Sequence, residues 1–199
     1  LVVRLVPGNH EAGDAVGRHF TLDAFADMGF WVAGITEATD QLSVISPVSG
    51  FDVVAMPYLP PDRAVQIAEA GRDFTLMLIH QTIKGGMVGG WVSPDGLDPA
   101  LLEEAAVHVF SGHFHSPQDI LKHTHYMGAP VQHTFADQGE VRGFWDVTWT
   151  GKFCDRRMVP IQGAPQFFTH QWITSESGSG DLPSLDGIAA KSYVNLEVV

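Results

Sequence analysis

The sequence predicts an α/β fold in which strands and helices alternate along the chain. Apolar runs of strand length recur, LVVRLVP at 1–7, FDVVAMPYL at 51–59 and FTLMLIH at 74–80. The last is apolar almost throughout, as in a sheet covered on both faces. Segments with helical spacing and helix-end residues lie between the strands, notably PDRAVQIAEAGR at 61–72 and GLDPALLEEAA at 96–106. Composition agrees, because 45% hydrophobic and 17% charged residues in a chain of 199 supply ample material for a core.

Taken in order, LVVRLVP ends as a strand at Pro7, and DAVGRHFTLDAFADMGF (14–30) reads as a helix through Val16, Phe20, Phe25 and Met28, with Gly29 as its stop. FWVAGI (30–35) and LSVIS (42–46) are short strands, and FDVVAMPYL is closed by Pro60 and Pro61. The helix at 61–72 starts at Pro61-Asp62 and is followed by Gly71; the one at 96–106 opens with Asp98-Pro99. VHVFSGHFH (107–115) is a strand running into a loop. From His123 to about Val159 the pattern changes to successive antiparallel strands with Gly turns: HTHYMGAP, GFWDVTWTG and KFCDRRMVPI. SESGSGDLPSLDG (175–187) reads as a linker, and the strand near 191–199 as part of something beyond it. The expected organisation is a core over 1–173, then linker and first strand of a capping domain over 174–199.

Bulk properties narrow the function. The single cysteine, Cys154, excludes an internal disulfide framework and a Cys-rich zinc site, and fits a reducing compartment. No apolar stretch approaches the roughly 20 residues that span a bilayer, so no membrane partner is expected. A net charge of −12 argues against a general nucleic-acid-binding surface, but not against an enzyme whose bound cations supply local positive charge. Ten histidines stand against eleven Lys plus Arg, which directs attention to metal ligands.

Three segments share one pattern, an apolar strand with a histidine at its carboxyl end: LVVRLVPGNHE, FTLMLIHQ and VHVFSGHFH. Open α/β sheets place ligands beyond the carboxyl ends of their strands, so His10, His80 and His113 can converge although far apart in sequence. In GHFH the two imidazoles are at i and i+2, which an extended backbone points to one side. Gly112 leaves room for close approach to a ligand.

PGNHE, LIHQ and GHFH, in that order, resemble the motifs of the calcineurin-like metallophosphoesterase superfamily. Within it, HYMGAPVQHTFADQGEVRGFWDV and RRMVPIQGAPQFFTH are similar to the segments that follow the last metal motif in SbcD-type DNA double-strand-break nucleases, including their phage relatives. The resemblance covers about residues 1–170. It implies a four-layer αββα sandwich of two mixed sheets, and metal-dependent phosphodiester hydrolysis of DNA at a dinuclear centre with a bridging hydroxide as nucleophile. The cofactors implied are two divalent ions, Mn²⁺ foremost, with Fe or Zn as alternatives.

Residue by residue, the resemblance implies that Asn9, His80 and His113 bind one metal and His115 the other. His10 then acts on the scissile phosphate, orienting it or protonating the leaving oxygen, with Glu11 fixing its other nitrogen. Partners implied are DNA, an SMC-like ATPase of SbcC type and a second copy of the chain, in the cytoplasm of a bacterial or phage-infected cell. The family's Asp-x-His and Gly-Asp motifs belong upstream of GNHE, where only eight residues precede Asn9. The chain is therefore expected to be a segment of a longer protein, which leaves open whether it is active alone. Alternatives are a related phosphoesterase acting on a nucleotide, lipid or phosphoprotein, or a non-catalytic module lacking its N-terminal ligands.

Outside these motifs, Tyr126 and Gln132 are expected to wall the substrate cleft. Arg142 is either a phosphate contact or half of a buried salt bridge. His123, His125 and His133 are read as surface or substrate contacts, and His19, His108 and His170 as structural. KGGMVGGWVSP (84–94) reads as a mobile Gly-rich loop bordering the cleft, with Trp91 and Met87 available to stack on a base.

Overall fold

Apolar runs become strands where a neighbour completes their hydrogen-bond ladder and a second layer covers one face. A computed structural model describes residues 4–13, 20–28, 31–33, 43–48, 51–70, 73–150, 154–172 and 192–198. The chain divides into two units, one of Leu1–Gly128 with Thr150–Cys154 and one of Ala129–Trp149 with Asp155–Val199. The fold is mixed α/β.

In chain order the first unit contains β1 (Arg4–Leu5), α1 (Asp23–Asp27), β2 (Trp31–Val32), β3 (Ser43–Val48), β4 (Phe51–Met56), α2 (Pro61–Ala70) and β5 (Phe74–His80). It continues with β6 (Met87–Val88), β7 (Trp91–Val92), α3 (Pro99–Ala105), β8 (Ala106–Gly112), β9 (Gln118–Asp119) and β10 (Thr124–Tyr126). Its main sheet has six strands in the order β3-β4-β5-β8-β10-β9. The four central strands are parallel, and β3 and β9 close the edges antiparallel to β4 and β10. β1 pairs in parallel with β2, and Pro7 just beyond it accepts the Tyr58 N–H at 2.9 Å.

Register decides which residues share a face. Val54, Met77 and Val109 lie side by side across β4, β5 and β8, as do Met56 and Ile79. These residues and Tyr126 form one buried cluster with Ala64, Ile67 and Ala68 of α2 and Leu102 and Ala105 of α3. α3 starts where the sequence places it: Asp98 is extended, its Oδ1 accepts the Ala100 N–H at 2.9 Å, and Pro99 occupies the first turn, where a missing N–H costs nothing.

The structure differs from the expected elements in three places. The helix expected over 14–30 is confined to Asp23–Asp27, residues 14–19 and 29–30 lying outside the described ones. Phe20 instead bridges Ala12, its N–H donates to Asp23 Oδ2 at 2.8 Å, and the Thr21 N–H donates to the Glu11 carbonyl at 2.8 Å. The bridge and the Thr21 bond tie residues 20–21 to the segment after Pro7, and helix is formed only from Asp23 onward among the described residues.

HTHYMGAP does not begin an antiparallel meander. Its β10 runs parallel to β8, pairing Thr124 with Val109 and Tyr126 with Ser111, and this register carries the Tyr126 ring into the helix-covered core. KGGMVGGWVSP, expected as a loop, folds into the antiparallel pair β6–β7.

The second unit holds a 3₁₀ turn (Phe135–Asp137), β11 (Gly143–Trp149), β12 (Cys154–Pro160), β13 (Phe167–Trp172) and β14 (Tyr193–Val198). β11 pairs with β12, and β13 pairs in parallel with β14 from Phe167↔Tyr193 to Trp172↔Val198. The expected linker at 175–187 lies outside the described residues. Among the described residues no helix is long and apolar enough to cross a membrane.

The packing makes a testable contrast. Leu102→Ala, which empties a fully buried position under the sheet, is expected to lower unfolding free energy by about 2–5 kcal/mol. Val107→Ala, at a largely exposed position on neighbouring β8, is expected to cost less than about 1 kcal/mol. Urea denaturation of both variants measures the difference.

Candidate metal and phosphate site

The site begins with a turn. After β1 and buried Pro7, the Glu11 N–H donates to the Gly8 carbonyl at 3.2 Å, and the Gly8 N–H donates to Glu11 Oε2 at 2.8 Å. A turn closed from both sides presents Asn9 and His10 at its tip, Asn9 half-buried and His10 exposed. The Glu11 carboxylate, expected to steady His10, is thus bonded to a backbone amide of its own turn.

His80 ends β5 directly opposite Gly112 at the end of β8. Residues paired in register project to the same face, so a side chain at 112 would compete with the imidazole. A Cβ built on Gly112 would lie 2.7 Å from His80 Nδ1, and one built on Gly8 would lie 2.6 Å from His80 Cε1. Two backbones therefore close on one imidazole, and only glycine lets them. The ring is aimed at the turn: His80 Nε2 is 3.0 Å from Asn9 Oδ1.

The chain behind the ring is pinned as well. Buried Gln81 donates from Nε2 to the Pro57 carbonyl at 2.9 Å. The Ser111 hydroxyl donates to the Gly112 carbonyl at 2.8 Å. The fully buried Tyr126 hydroxyl accepts the Ile83 N–H at 2.6 Å and donates to the Gln81 carbonyl at 3.0 Å. Burial pushes the Tyr126 phenol well above its ordinary value, although the Ile83 N–H acts in the other direction.

His113 follows Gly112 with φ +91°. A non-glycine residue pays roughly 1–3 kcal/mol for such a conformation and keeps it only when its surroundings enforce it. The bend brings His113 Nδ1 to 3.3 Å from Asn9 Oδ1, with the ring edge-on to His80 at 5.4 Å between centroids. Phe114 stacks on His113 at 5.3 Å and on Tyr126 at 4.7 Å, linking the site to the core. The same bend corrects the i, i+2 expectation. GHFH is not extended through His113, and His115 is exposed.

Electrostatics tie the four histidines together. Burial, then the neighbouring His113, holds His80 down at about 4, opposed by Glu11 and reinforced by His10 and His115. His113 is lowered by burial, then by His115 and His10. Both half-buried imidazoles are therefore neutral near pH 7, the form that binds a metal.

The donor set fits one divalent cation: an amide oxygen from Asn9, Nε2 from His80 and Nδ1 from His113. Such oxygen and imidazole donors suit Mn²⁺, Fe or Zn. Two ligands each about 2.05 Å from one ion and 90–109° apart are about 2.9–3.4 Å from each other. The two separations from Asn9 Oδ1, 3.0 and 3.3 Å, fall in that interval. Among the described residues no three His, Cys, Asp or Glu side chains are grouped to hold a metal ion; the group assembled here uses an amide as its third donor.

The three residues expected at the substrate cleft have other work. Tyr126 is enclosed beneath the His80 strand end, as above. Gln132 is buried in the second unit, where Nε2 donates to the Glu140 carbonyl at 3.0 Å and Oε1 accepts the Phe167 N–H at 2.7 Å. Arg142, also buried, takes the salt-bridge alternative: its Nη2 lies 2.7 Å from Asp137 Oδ1 and 2.8 Å from Glu140 Oε2. His125, expected at the surface, is buried against Asp119 at 2.8 Å, and His108 meets His123 edge-on at 4.8 Å. Sequence reasoning missed Gly8, Gln81 and Ser111. Only Gln81, a polar residue directly after a wholly apolar strand, left a signal.

Comparison with models of known protein families and with curated proteins finds no match for this chain.

Two outcomes follow from this geometry. Gly112→Ala, by displacing the His80 ring, is expected to weaken Mn²⁺ binding by about 10- to 100-fold in titration calorimetry, even though residue 112 offers no ligand. In metal-stripped protein the unfolded chain binds more protons than the folded one between pH 6.5 and about 4, because His80 and His113 are lowered in the fold. Their contribution is thus complete above pH 6.5 and lost as pH falls toward 4. A thermal-melt series should show this decline, and His80→Gln should flatten it.

Proposed function

We propose that this chain carries the phosphate-facing metal site of a metal-dependent phosphodiesterase of the calcineurin-like type, acting on DNA as SbcD-type nucleases do. The observation that carries the reading is the convergence of Asn9 Oδ1 with His80 Nε2 and His113 Nδ1 at the carboxyl ends of β5 and β8. In this reading the six-stranded sheet is one of the two sheets of an αββα sandwich.

Asn9, His80 and His113 would hold a divalent ion, Mn²⁺ by preference, and His115 a second. Bound there, such ions neutralise phosphate oxygens and make hydroxide available at neutral pH. The remaining work belongs to this chain's residues. Hydrolysis adds water across a P–O bond, and the departing oxygen must gain a proton. His10 stands exposed at the turn tip, close enough for its charge to act on His80 and His113. It is the residue that orients the phosphate and supplies that proton. Glu11 holds the turn that presents it, and the two glycines keep His80 in line with Asn9. The reading also places the protein in the cytoplasm of a bacterial or phage-infected cell, with an SMC-like ATPase and a second copy as partners.

Mn²⁺ is expected to bind and to support hydrolysis of bis(4-nitrophenyl) phosphate and of linear duplex DNA, with EDTA abolishing both. His80→Ala and His113→Ala should each reduce kcat/KM by at least about 100-fold, at or beyond the upper end for disturbing residues that only support ligands. His10→Ala should lower kcat while leaving Mn²⁺ affinity intact. Turnover that persists in EDTA or in His80→Ala overturns the reading.

A further inference from the structure

Among the described residues, the β6–β7 hairpin keeps its apolar side chains largely in the open. Its strands pair Met87 with Val92 and Val88 with Trp91, so each face of the ribbon carries two apolar residues. All four are exposed, by 47–57%. A surface hairpin ordinarily buries one apolar face; among the described residues neither face of this one is covered.

The ribbon is nevertheless held firmly. Gly89 and Gly90, at φ +54° and +83°, form the tight turn that suits a two-residue hairpin. Below them Gly85 N–H donates to the Ser93 carbonyl at 2.8 Å and Ser93 N–H to the Gly86 carbonyl at 2.7 Å. Gln118 grips the outer strand, accepting the Met87 N–H at 2.7 Å and donating to the Met87 carbonyl at 2.8 Å. At the root, a Cβ on Gly86 would lie 2.6 Å from the Phe114 ring and 2.9 Å from that of Tyr126. Phe114 in turn stacks on His113. The exposed tip is thus fixed to the side chains that line the candidate site.

The phosphodiesterase reading supplies the occupant, and the ribbon itself carries no acid to repel it. The chain carries −12 overall, yet residues 74–94 contain no carboxylate and one cation, Lys84. Acids lie outside the ribbon, Asp95 beyond β7 and Asp119 beside Gln118 among them. A single exposed indole with flanking aliphatic groups matches a base face, since stacking on aromatic side chains tolerates any base.

We infer that the β6–β7 hairpin is a base-stacking element, on which Trp91 holds an unpaired nucleobase of the DNA strand whose phosphate lies at the Asn9–His80–His113 group. This rests on the phosphodiesterase reading for its substrate but is tested apart from catalysis.

The experiment measures binding of a fluorescein-labelled dT20 oligonucleotide by anisotropy, without divalent metal, for wild type, Trp91→Ala and Trp91→Phe. Hydrolysis of bis(4-nitrophenyl) phosphate with Mn²⁺ and sedimentation behaviour are followed in parallel. Loss of one stacked base should weaken dT20 binding in Trp91→Ala by about 5- to 150-fold, and the aromatic Trp91→Phe should stay within about threefold of wild type. Equal dT20 binding by wild type and Trp91→Ala overturns the inference, as does failure of wild type to bind dT20. Loss of a dimer in Trp91→Ala without loss of oligonucleotide binding overturns it too, because the ribbon is then a contact between copies. If Trp91→Ala weakens dT20 binding but wild type hydrolyses no phosphodiester, the stacking role stands and the catalytic reading falls.

Discussion

The site depends on the close approach of two glycine backbones to the ring of His80. The pairing of His80 with Gly112 is dictated by the β5–β8 ladder, which also sets the buried pairs Met77–Val109 and Leu78–Phe110. Slipping that register by one residue would send every core side chain to the wrong face, so the hydrophobic effect that holds the sheet also holds the imidazole. Gly8 closes the other side of the ring. Neither glycine offers a ligand atom, but both fix where Nε2 points.

Holding two imidazoles in partial burial has an electrostatic consequence. Desolvation disfavours their charged forms, and His113 further disfavours charge on His80. The outcome is a pair of neutral nitrogen donors facing an amide oxygen in a protein of strongly negative net charge. The strand end behind them is secured by Tyr126, Gln81 and Ser111, whose polar atoms are used within the fold. A buried hydroxyl that both accepts and donates is worth more through what its loss would leave unpaired than through its own net bonding. The aromatic column Tyr126–Phe114–His113 then joins the helix-packed core to the bend at +91°.

Tyr126 and Gln132 show how burial redirects a polar residue beside a motif, and Arg142 takes the salt bridge that its sequence context already allowed. Each has the chemistry to meet a phosphate, and each is enclosed with its hydrogen bonds directed to its own chain. Sequence shows what a side chain can bond to; burial determines which bond it makes. For Arg142 the balance is plain, because a guanidinium removed from water needs carboxylates, and Asp137 and Glu140 provide them.

The strands β4, β5 and β8, the helices α2 and α3 and the Asp98 cap were legible in the chain, because apolar runs, Pro at a helix start and a capping carboxylate act within a few residues of one another. The convergence of Asn9, His80 and His113 was legible too, as polar groups at the ends of apolar strands. What needed the tertiary structure turns on local bends and on which backbones pair: the parallel addition of β10, the ties from residues 20–21 to the turn after Pro7, the folding of 84–94 into a ribbon, and the bend at His113. Most of them are set by which backbone lies alongside, from Met87 opposite Val92 in the ribbon to Thr124 opposite Val109 in the sheet, and the choice of a pairing partner leaves no periodicity in the sequence to read.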